Sequence, residues 1–282
     1  MLKGTSAGKS IRIRRLFNPV TEKSVIVAID HGKTHGVLPG LENIEQILEL
    51  LMHEEPDGIL LNPGTLRLTH HLWKGKHAPG IIVAADIPLW NSIPRAECMG
   101  FEYRLLCTVE EIVALGADAI KVLLVFCRKN IRDYGDNLKD LAYIIRAAER
   151  FGIPVMVETT FWGGAESKTR SQDPSLVADM CRVATEMGAD LLKVPFIGPP
   201  EEFRRVTEIT PLPVMILGGA KSQDIRDVFL NVEQALQANV DGLVFGRNIW
   251  GHAKPNLVLR SLKQMVHQKA SAEEVLEEFS RT

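Results

Sequence analysis

The stretch Gly188-Ala189-Asp190-Leu191-Leu192-Lys193-Val194 decides how the rest of the chain is read. A glycine closes a segment of helical character, an acidic turn follows, and a short apolar run begins that carries a lysine. An earlier stretch, Gly116-Ala117-Asp118-Ala119-Ile120-Lys121-Val122, has the same form. Repeated half-barrels would account for this echo, although a single pair is thin support. Outward from these two stretches one unit recurs: apolar run, polar loop, amphipathic segment, tight turn. The apolar runs are Val25–Ile29, Gly58–Leu61, Ile81–Ala84, Ala119–Val125, Val155–Val157, Leu191–Val194, Val214–Leu217 and Leu243–Phe245. Short continuous apolar runs suit strands buried on both faces, and strands alternating with helices imply parallel pairing. In Leu41–Met52 the residues Leu41, Ile44, Leu48 and Leu51 share a helical face. Asp173-Pro174 before Ser175–Met187 supplies a cap and a first-turn proline.

Eight such units in 282 residues predict an α/β fold, a closed (β/α)8 TIM barrel. Residues 1–282 then form one barrel domain, with a basic N-terminal arm or cap and an extra amphipathic helix over Ser271–Phe279. The longest irregular stretch, Asp86–Cys107, is expected as an insertion after the third run, on the catalytic face.

The composition, 45% hydrophobic and 24% charged, is ordinary for a soluble globular protein. A formal net charge of -2 offers no electrostatic footprint for nucleic acid or an anionic membrane. No apolar run is long enough to span a bilayer, and the first residues lack the apolar core of a signal peptide. Cys98, Cys107, Cys127 and Cys181 show no C-x-x-C spacing and are read as reduced thiols of a cytoplasmic protein.

In such barrels chemistry sits at the C-terminal ends of the strands. The polar residues expected there are Asp30 and His31, Asp86, Lys121, Glu158 with Thr159 and Thr160, Lys193, Gly218-Gly219-Ala220-Lys221, and Gly246-Arg247-Asn248. Lys193 alternates with Leu192 and Val194, so it shares a face with Leu191 and Pro195. A lysine enters an apolar strand only when paired or functional. Desolvation favours its free amine, which attacks a carbonyl to give an imine; the rival reading is a buried Lys–Asp pair. Lys121 has the same setting, so physics alone leaves either lysine as nucleophile. Asp30 shares a face with Ile26 and Ala28 and is a proton carrier for imine steps or else a helix cap. Glu158 is a general acid–base candidate or a salt-bridge partner of Lys121 or Lys193. Glycine turns after the last two runs suit phosphate, with Gly218, Gly219 and Gly246 admitting the anion and Lys221 and Arg247 adding charge; tight βα turns are the plainer reading. His31, Asp86 and Thr160 are further candidates for substrate contact. No two-His spacing points to a metal site.

At these residues the chain resembles the class I aldolase superfamily of archaeal-type fructose-bisphosphate aldolase, heptulosonate synthase and the autoinducer-2 phosphate thiolase. The markers are Ala28-Ile29-Asp30-His31-Gly32, Gly188–Lys193, Gly218-Gly219-Ala220-Lys221 and Gly246-Arg247-Asn248-Ile249-Trp250. The resemblance makes Lys193 the Schiff-base lysine, Asp30 its acid–base partner and the two glycine turns a phosphate cradle. It implies a small phosphorylated substrate, no cofactor, no metal, and a homo-oligomer such as a ring-based decamer. The aldolases and the synthase carry a catalytic tyrosine where this chain has Thr160 within Glu158–Gly164. Lys121 and Glu158 instead resemble the inward lysine and glutamate of tagatose-bisphosphate and sulfosugar-phosphate aldolases. Aldol chemistry on a phosphorylated keto-sugar or related ketone is the leading expectation. Coenzyme A-dependent thiolase chemistry on a phosphorylated diketone and a non-catalytic small-molecule-binding barrel are the alternatives.

Overall fold

In the computed structural model, which describes residues 6–90, 101–126, 131–161 and 173–281, eight parallel strands close into a barrel. The strands in chain order are β1 (Ser24–Ala28), β2 (Gly58–Leu61), β3 (Gly80–Ala84), β4 (Asp86–Trp90), β5 (Phe101–Leu105), β6 (Ala119–Phe126), β7 (Val155–Phe161), β8 (Leu191–Val194), β9 (Val214–Leu217) and β10 (Gly242–Phe245). The ring runs β1-β2-β3-β6-β7-β8-β9-β10 and closes where Ser24 of β1 stands opposite Gly242 of β10. These eight strands fall on the eight expected runs. The largest shift is in β7, which continues to Phe161 because Thr159, Thr160 and Phe161 pair with Leu124–Phe126 of β6. β-branched and aromatic residues favour that extension, and it places Glu158 in mid-strand rather than at the strand's end.

Alternation along the strands sorts the apolar side chains into two cores. Ile26, Ala28, Leu60, Ile82, Ala84, Ala119, Met156, Leu191, Met215 and Val244 fill the barrel interior. Their neighbours, among them Val25, Val27, Ile59, Ile120, Leu192 and Phe245, face the surrounding helices. The expected irregular insertion is in part regular: β4 and β5 pair antiparallel, from Asp86 opposite Leu105 to Trp90 opposite Phe101. The alternation Phe101-Glu102-Tyr103-Arg104-Leu105 is a two-residue period that the length of the segment masked. Cys98, Cys127 and Trp162-Gly163-Gly164 lie outside the described residues.

The N-terminal arm is a helix, Ala7–Arg14, capped by the Ser6 side chain. It lies under the barrel, where Leu16 joins the interior core and its carbonyl accepts the Ser24 hydroxyl at 2.5 Å. Lys9 lies 2.9 Å from Asp190, and Arg15 lies 2.9 Å from Asp118. These aspartates account for the echo. Asp57, Asp118, Asp190 and Asp241 each stand just before every second barrel strand, and each accepts the amide of the strand preceding it: Val25, Ile81, Val155 and Val214, at 2.7–3.0 Å. The repeat is therefore a pair of βα units rather than half a barrel.

The helix expected over Leu41–Met52 runs Ile44–Met52, because the Asn43 side chain caps it. Asp173 caps Pro174–Met187 as expected. The tail forms a helix, Ala272–Arg281, tied to its neighbour through Glu233 and by Phe279 against Phe229. Among the described residues no helix is long and apolar enough to cross a membrane.

Candidate active site

Four interior side chains rise one step above the apolar core. Asp30 follows Ala28, Lys121 follows Ala119, Glu158 follows Met156 and Lys193 follows Leu191, two residues along in each case and on the inward face. Strand register brings them together: Glu158 stands opposite Lys193 on β8, and its other neighbour on β6 is Leu123, two residues past Lys121. Glu158 Oε2 is 2.9 Å from Lys193 Nζ and also 2.9 Å from Lys121 Nζ. Lys121 lies a further 3.6 Å from Asp86 and 3.8 Å from Asp30. The two lysines of the echo therefore differ. Lys121 reaches three carboxylates, whereas Lys193 pairs with one.

Electrostatics follows from that count. Burial favours the neutral amine of Lys121, but Asp86, Glu158 and Asp30 outweigh it and hold Lys121 as an ammonium above its ordinary range. Burial pushes Glu158 up, and Lys121 with Lys193 pulls it below the usual carboxylate value. Asp30 is driven well below the ordinary range, since Lys121, His31, Lys193 and Lys33 together overcome its desolvation. His31, whose Nδ1 is 3.5 Å from Asp30, is lowered to about 4 because burial outweighs that carboxylate, so it is a neutral imidazole at pH 7.

These groups open into a cavity of about 520 Å³ at the C-terminal mouth of the barrel. Its opposite wall is the turn Gly218-Gly219-Ala220 after β9 and Gly246-Arg247 after β10. Gly219 has φ +66°, a left-handed conformation suited to glycine. A Cβ on Gly246 would lie 2.5 Å from the Ala28 carbonyl oxygen and 2.7 Å from the His31 ring. Arg247 lines the cavity, and its buried Nε has no hydrogen-bond partner among the described residues.

Most of the residues expected from the sequence converge here: Asp30, His31, Lys121, Glu158, Thr160, Lys193, Gly218, Gly219, Gly246 and Arg247 all line the cavity. Two do not. Lys221 is exposed, with its stem near Gly251, because the chain turns outward after Ala220. Asp86 is fully buried; its carboxylate accepts the Leu123 amide and lies 3.6 Å from Lys121, outside the lining of the cavity.

Sequence reasoning assigned no role to three residues of the site. Asn248 donates to the carbonyls of Gly218 and Ala220 at 2.6 and 3.2 Å and accepts the Ser222 amide at 2.8 Å, so it ties the two glycine turns together. Trp250 donates to the Ala28 carbonyl at 2.9 Å and sets its ring edge-on to His31 at 5.4 Å. Both stood in the quoted Gly246–Trp250 stretch. The third is Lys33, on the short helix Gly32–His35, which enters the cavity directly. Among the described residues no three His, Cys, Asp or Glu side chains are grouped to hold a metal ion.

A family model described as DeoC/LacD family aldolase matches residues 24–252, the span that runs from β1 through the glycine turns to just past Trp250. The chain belongs to the DeoC/LacD family of aldolases. It is accordingly an enzyme of the class I aldolase kind. An uncharacterized aldolase of Saccharolobus solfataricus is 29% identical over 95% of this chain and 98% of its own length. A 3-hydroxy-5-phosphonooxypentane-2,4-dione thiolase of an Enterobacter species is 28% identical over 98% of this chain and 88% of its own. Among solved structures, a Schiff base-forming fructose-1,6-bisphosphate aldolase is 27% identical, with a TM-score of 0.77, over 92% of this chain and all of that one, 100%.

Proposed function

We propose that this aldolase forms or cleaves a C–C bond in a phosphorylated keto-sugar or related ketone through an imine on Lys193. The observation that carries the reading is the Lys193–Glu158–Lys121 group, with both amines 2.9 Å from one carboxylate oxygen, facing a glycine-lined wall with Arg247. Glu158 is placed to take a proton from the Lys193 ammonium, and the free amine then adds to the ketone. Asp30 and the neutral His31 stand beside the Asp30–Lys121 edge of the site, where carbinolamine protonation and loss of water need a proton carrier. In the cleavage direction the iminium accepts the electrons of the breaking C–C bond and becomes an enamine. The proton of the hydroxyl two carbons from the ketone passes to Glu158 or to a water it holds, releasing an aldehyde. Protonation of the enamine and hydrolysis return the amine. Lys121, fixed as an ammonium, holds Glu158 ionised between these steps. Arg247 and the turns at Gly218-Gly219 and Gly246 take the phosphate.

The relatives support the substrate class: the names of the thiolase and of the solved aldolase each specify a phosphorylated compound. The test is borohydride trapping in the presence of a strong chelator, comparing dihydroxyacetone phosphate with dihydroxyacetone. The phosphate ester should trap at roughly 100-fold lower concentration, as expected when a charge-assisted anion contact of about 3 kcal/mol is gained. Equal trapping of the two ketones, or none without added metal, would sink the reading.

One observation favours a second reading. Thr160 lines the cavity at the position to which the resemblance assigns a tyrosine in the aldolases, and a thiolase is among the relatives. Acyl transfer of that kind needs coenzyme A; turnover of a phosphorylated diketone only when coenzyme A is added would select it.

A further inference from the structure

Protonation of the enamine carbon calls for an acid inside the cavity, and most groups there are poorly suited. Despite its burial, Lys121 is held as an ammonium by Asp86, Glu158 and Asp30 and parts with its proton reluctantly. Burial opposes the ionisation of Glu158 and Asp30, yet the lysines around them hold both below the ordinary carboxylate value, so neither brings a proton of its own. Burial lowers His31 and His35, which leaves both imidazoles neutral at pH 7. Arg247 does not give up its proton.

Lys33, on the short helix Gly32–His35, is different. It lines the cavity, and its Nζ is buried with no hydrogen-bond partner among the described residues. The other two lysines of the cavity are tied, Lys121 to three carboxylates and Lys193 to Glu158. Lys33 thus holds no described group in place, and its proton is free to move. Burial lowers Lys33 from the ordinary lysine value; Lys121 adds to that, while Asp86, Asp30 and Cys107 oppose it. The ammonium is therefore a stronger acid than a solvated lysine, closer to the range in which an acid–base group works at neutral pH. Its helix packs against β4, whose Pro88 lines the same cavity, so the amine is carried on a fixed element. Lys33 and Lys193 both act on the charge of Asp30, so both amines reach the surroundings of that carboxylate.

We infer that Lys33 is the acid that protonates the enamine carbon and, as the free amine, the base that removes the same proton in the aldol direction. The inference rests on the aldolase reading above and assigns its carbon-proton carrier. In the step, the enamine double bond takes a proton from the Lys33 ammonium. A C–H bond forms, the Lys33 N–H bond breaks, and the electron pair of the Lys193 nitrogen restores the iminium. Lys33 is left as the amine and regains its proton from water.

The experiment separates carbon-proton transfer from imine formation. Dihydroxyacetone phosphate is incubated with the protein in deuterium oxide, and proton NMR follows exchange at the carbon bearing the free hydroxyl; borohydride trapping is measured in parallel. Lys33→Ala should slow exchange by roughly 100-fold or more, the usual worth of a general acid–base group. It should still trap the ketone on Lys193, which also shows that the variant is folded. Added ethylamine should restore exchange in Lys33→Ala in proportion to its concentration. Lys33→Arg should stay slow, because a guanidinium keeps the charge but does not release the proton. Undiminished exchange in Lys33→Ala leaves the step to Glu158 and overturns the proposal. Parallel loss of exchange and trapping, loss without rescue by ethylamine, or full recovery in Lys33→Arg assigns Lys33 a binding or charge role and overturns it too. Wild-type protein that traps the ketone without exchanging its proton overturns this inference and leaves imine chemistry in place. Wild-type protein that does neither contradicts the aldolase reading and this inference together.

Discussion

Lys193 and Lys121 have nearly the same local sequence, and it is their partners that separate them. Alternation along the strands placed both inside the barrel, but only three-dimensional neighbours show that Lys121 meets Asp30, Asp86 and Glu158 while Lys193 meets Glu158 alone. Lys121 is a fixed charge on which the surrounding acids depend. Asp30 and Glu158 both have folded-state values below their ordinary ones. Their contribution to stability is therefore present above the ordinary carboxylate range and lost as pH falls through the depressed folded values. Removing Lys121 takes away a cation that depresses both. Lys121→Met should cost about 3 kcal/mol at pH 7, as breaking a buried ion pair does, and should move the acid-unfolding midpoint upward. Circular dichroism across an acid titration measures both; an unchanged midpoint would show that Lys121 does not hold these carboxylates. Asp86 shows the opposite limit of sequence reading. An acid after a strand looks like a site residue, and nothing in Ala85-Asp86-Ile87 reveals that its carboxylate turns to the Leu123 amide. Lys33 escaped for a related reason. A lysine in a polar loop is usually solvated, and only the cavity shows its Nζ enclosed.

At the scale of elements, the strands were legible because buried parallel strands are continuous apolar runs. β7 was cut short because Glu158-Thr159-Thr160 is polar to the eye yet buried in the fold. The β4–β5 pair went unread because Pro88 and the long intervening segment resemble a loop. The echo was read from two of its four members; Pro56-Asp57-Gly58 and Val240-Asp241-Gly242 carry the same strand-leading aspartate without the lysine that drew attention to the others. The glycine turns were legible, since a glycine directly after each of the last two strands marks a place where the backbone is approached closely. Their mutual fixing by Asn248 and Trp250 was not, because it depends on contacts with Gly218, Ala220 and Ala28 that are remote in sequence. That interlock makes a specific prediction. Gly246→Ala puts a methyl 2.5 Å from the Ala28 carbonyl oxygen, a backbone atom that cannot swing aside. Stability should fall by about 1–3 kcal/mol, the usual result of overpacking. Affinity for dihydroxyacetone phosphate should fall as well, because Arg247 and His31 shift with the turn. Thermal unfolding and trapping half-saturation report the two effects, and a variant unchanged in both would remove Gly246 from the cradle.

At the scale of the whole molecule, the closed ring carries the functional argument. Residues from the first, fourth, fifth and sixth barrel strands meet at one end only because β10 returns to β1 and the strands share a direction. The N-terminal helix closes the other end with Leu16, so the interior opens toward the mouth that holds Lys193. Class I chemistry requires a single amine in that mouth to bond covalently to the ketone, and three lysines, Lys33, Lys121 and Lys193, line it. The most direct test treats wild type and Lys193→Arg with dihydroxyacetone phosphate and borohydride and then maps the modified peptide by mass spectrometry. The account predicts one adduct, on Lys193, and none in Lys193→Arg, since a guanidinium forms no productive imine. An adduct on Lys121 or Lys33, or one that persists in Lys193→Arg, would contradict it.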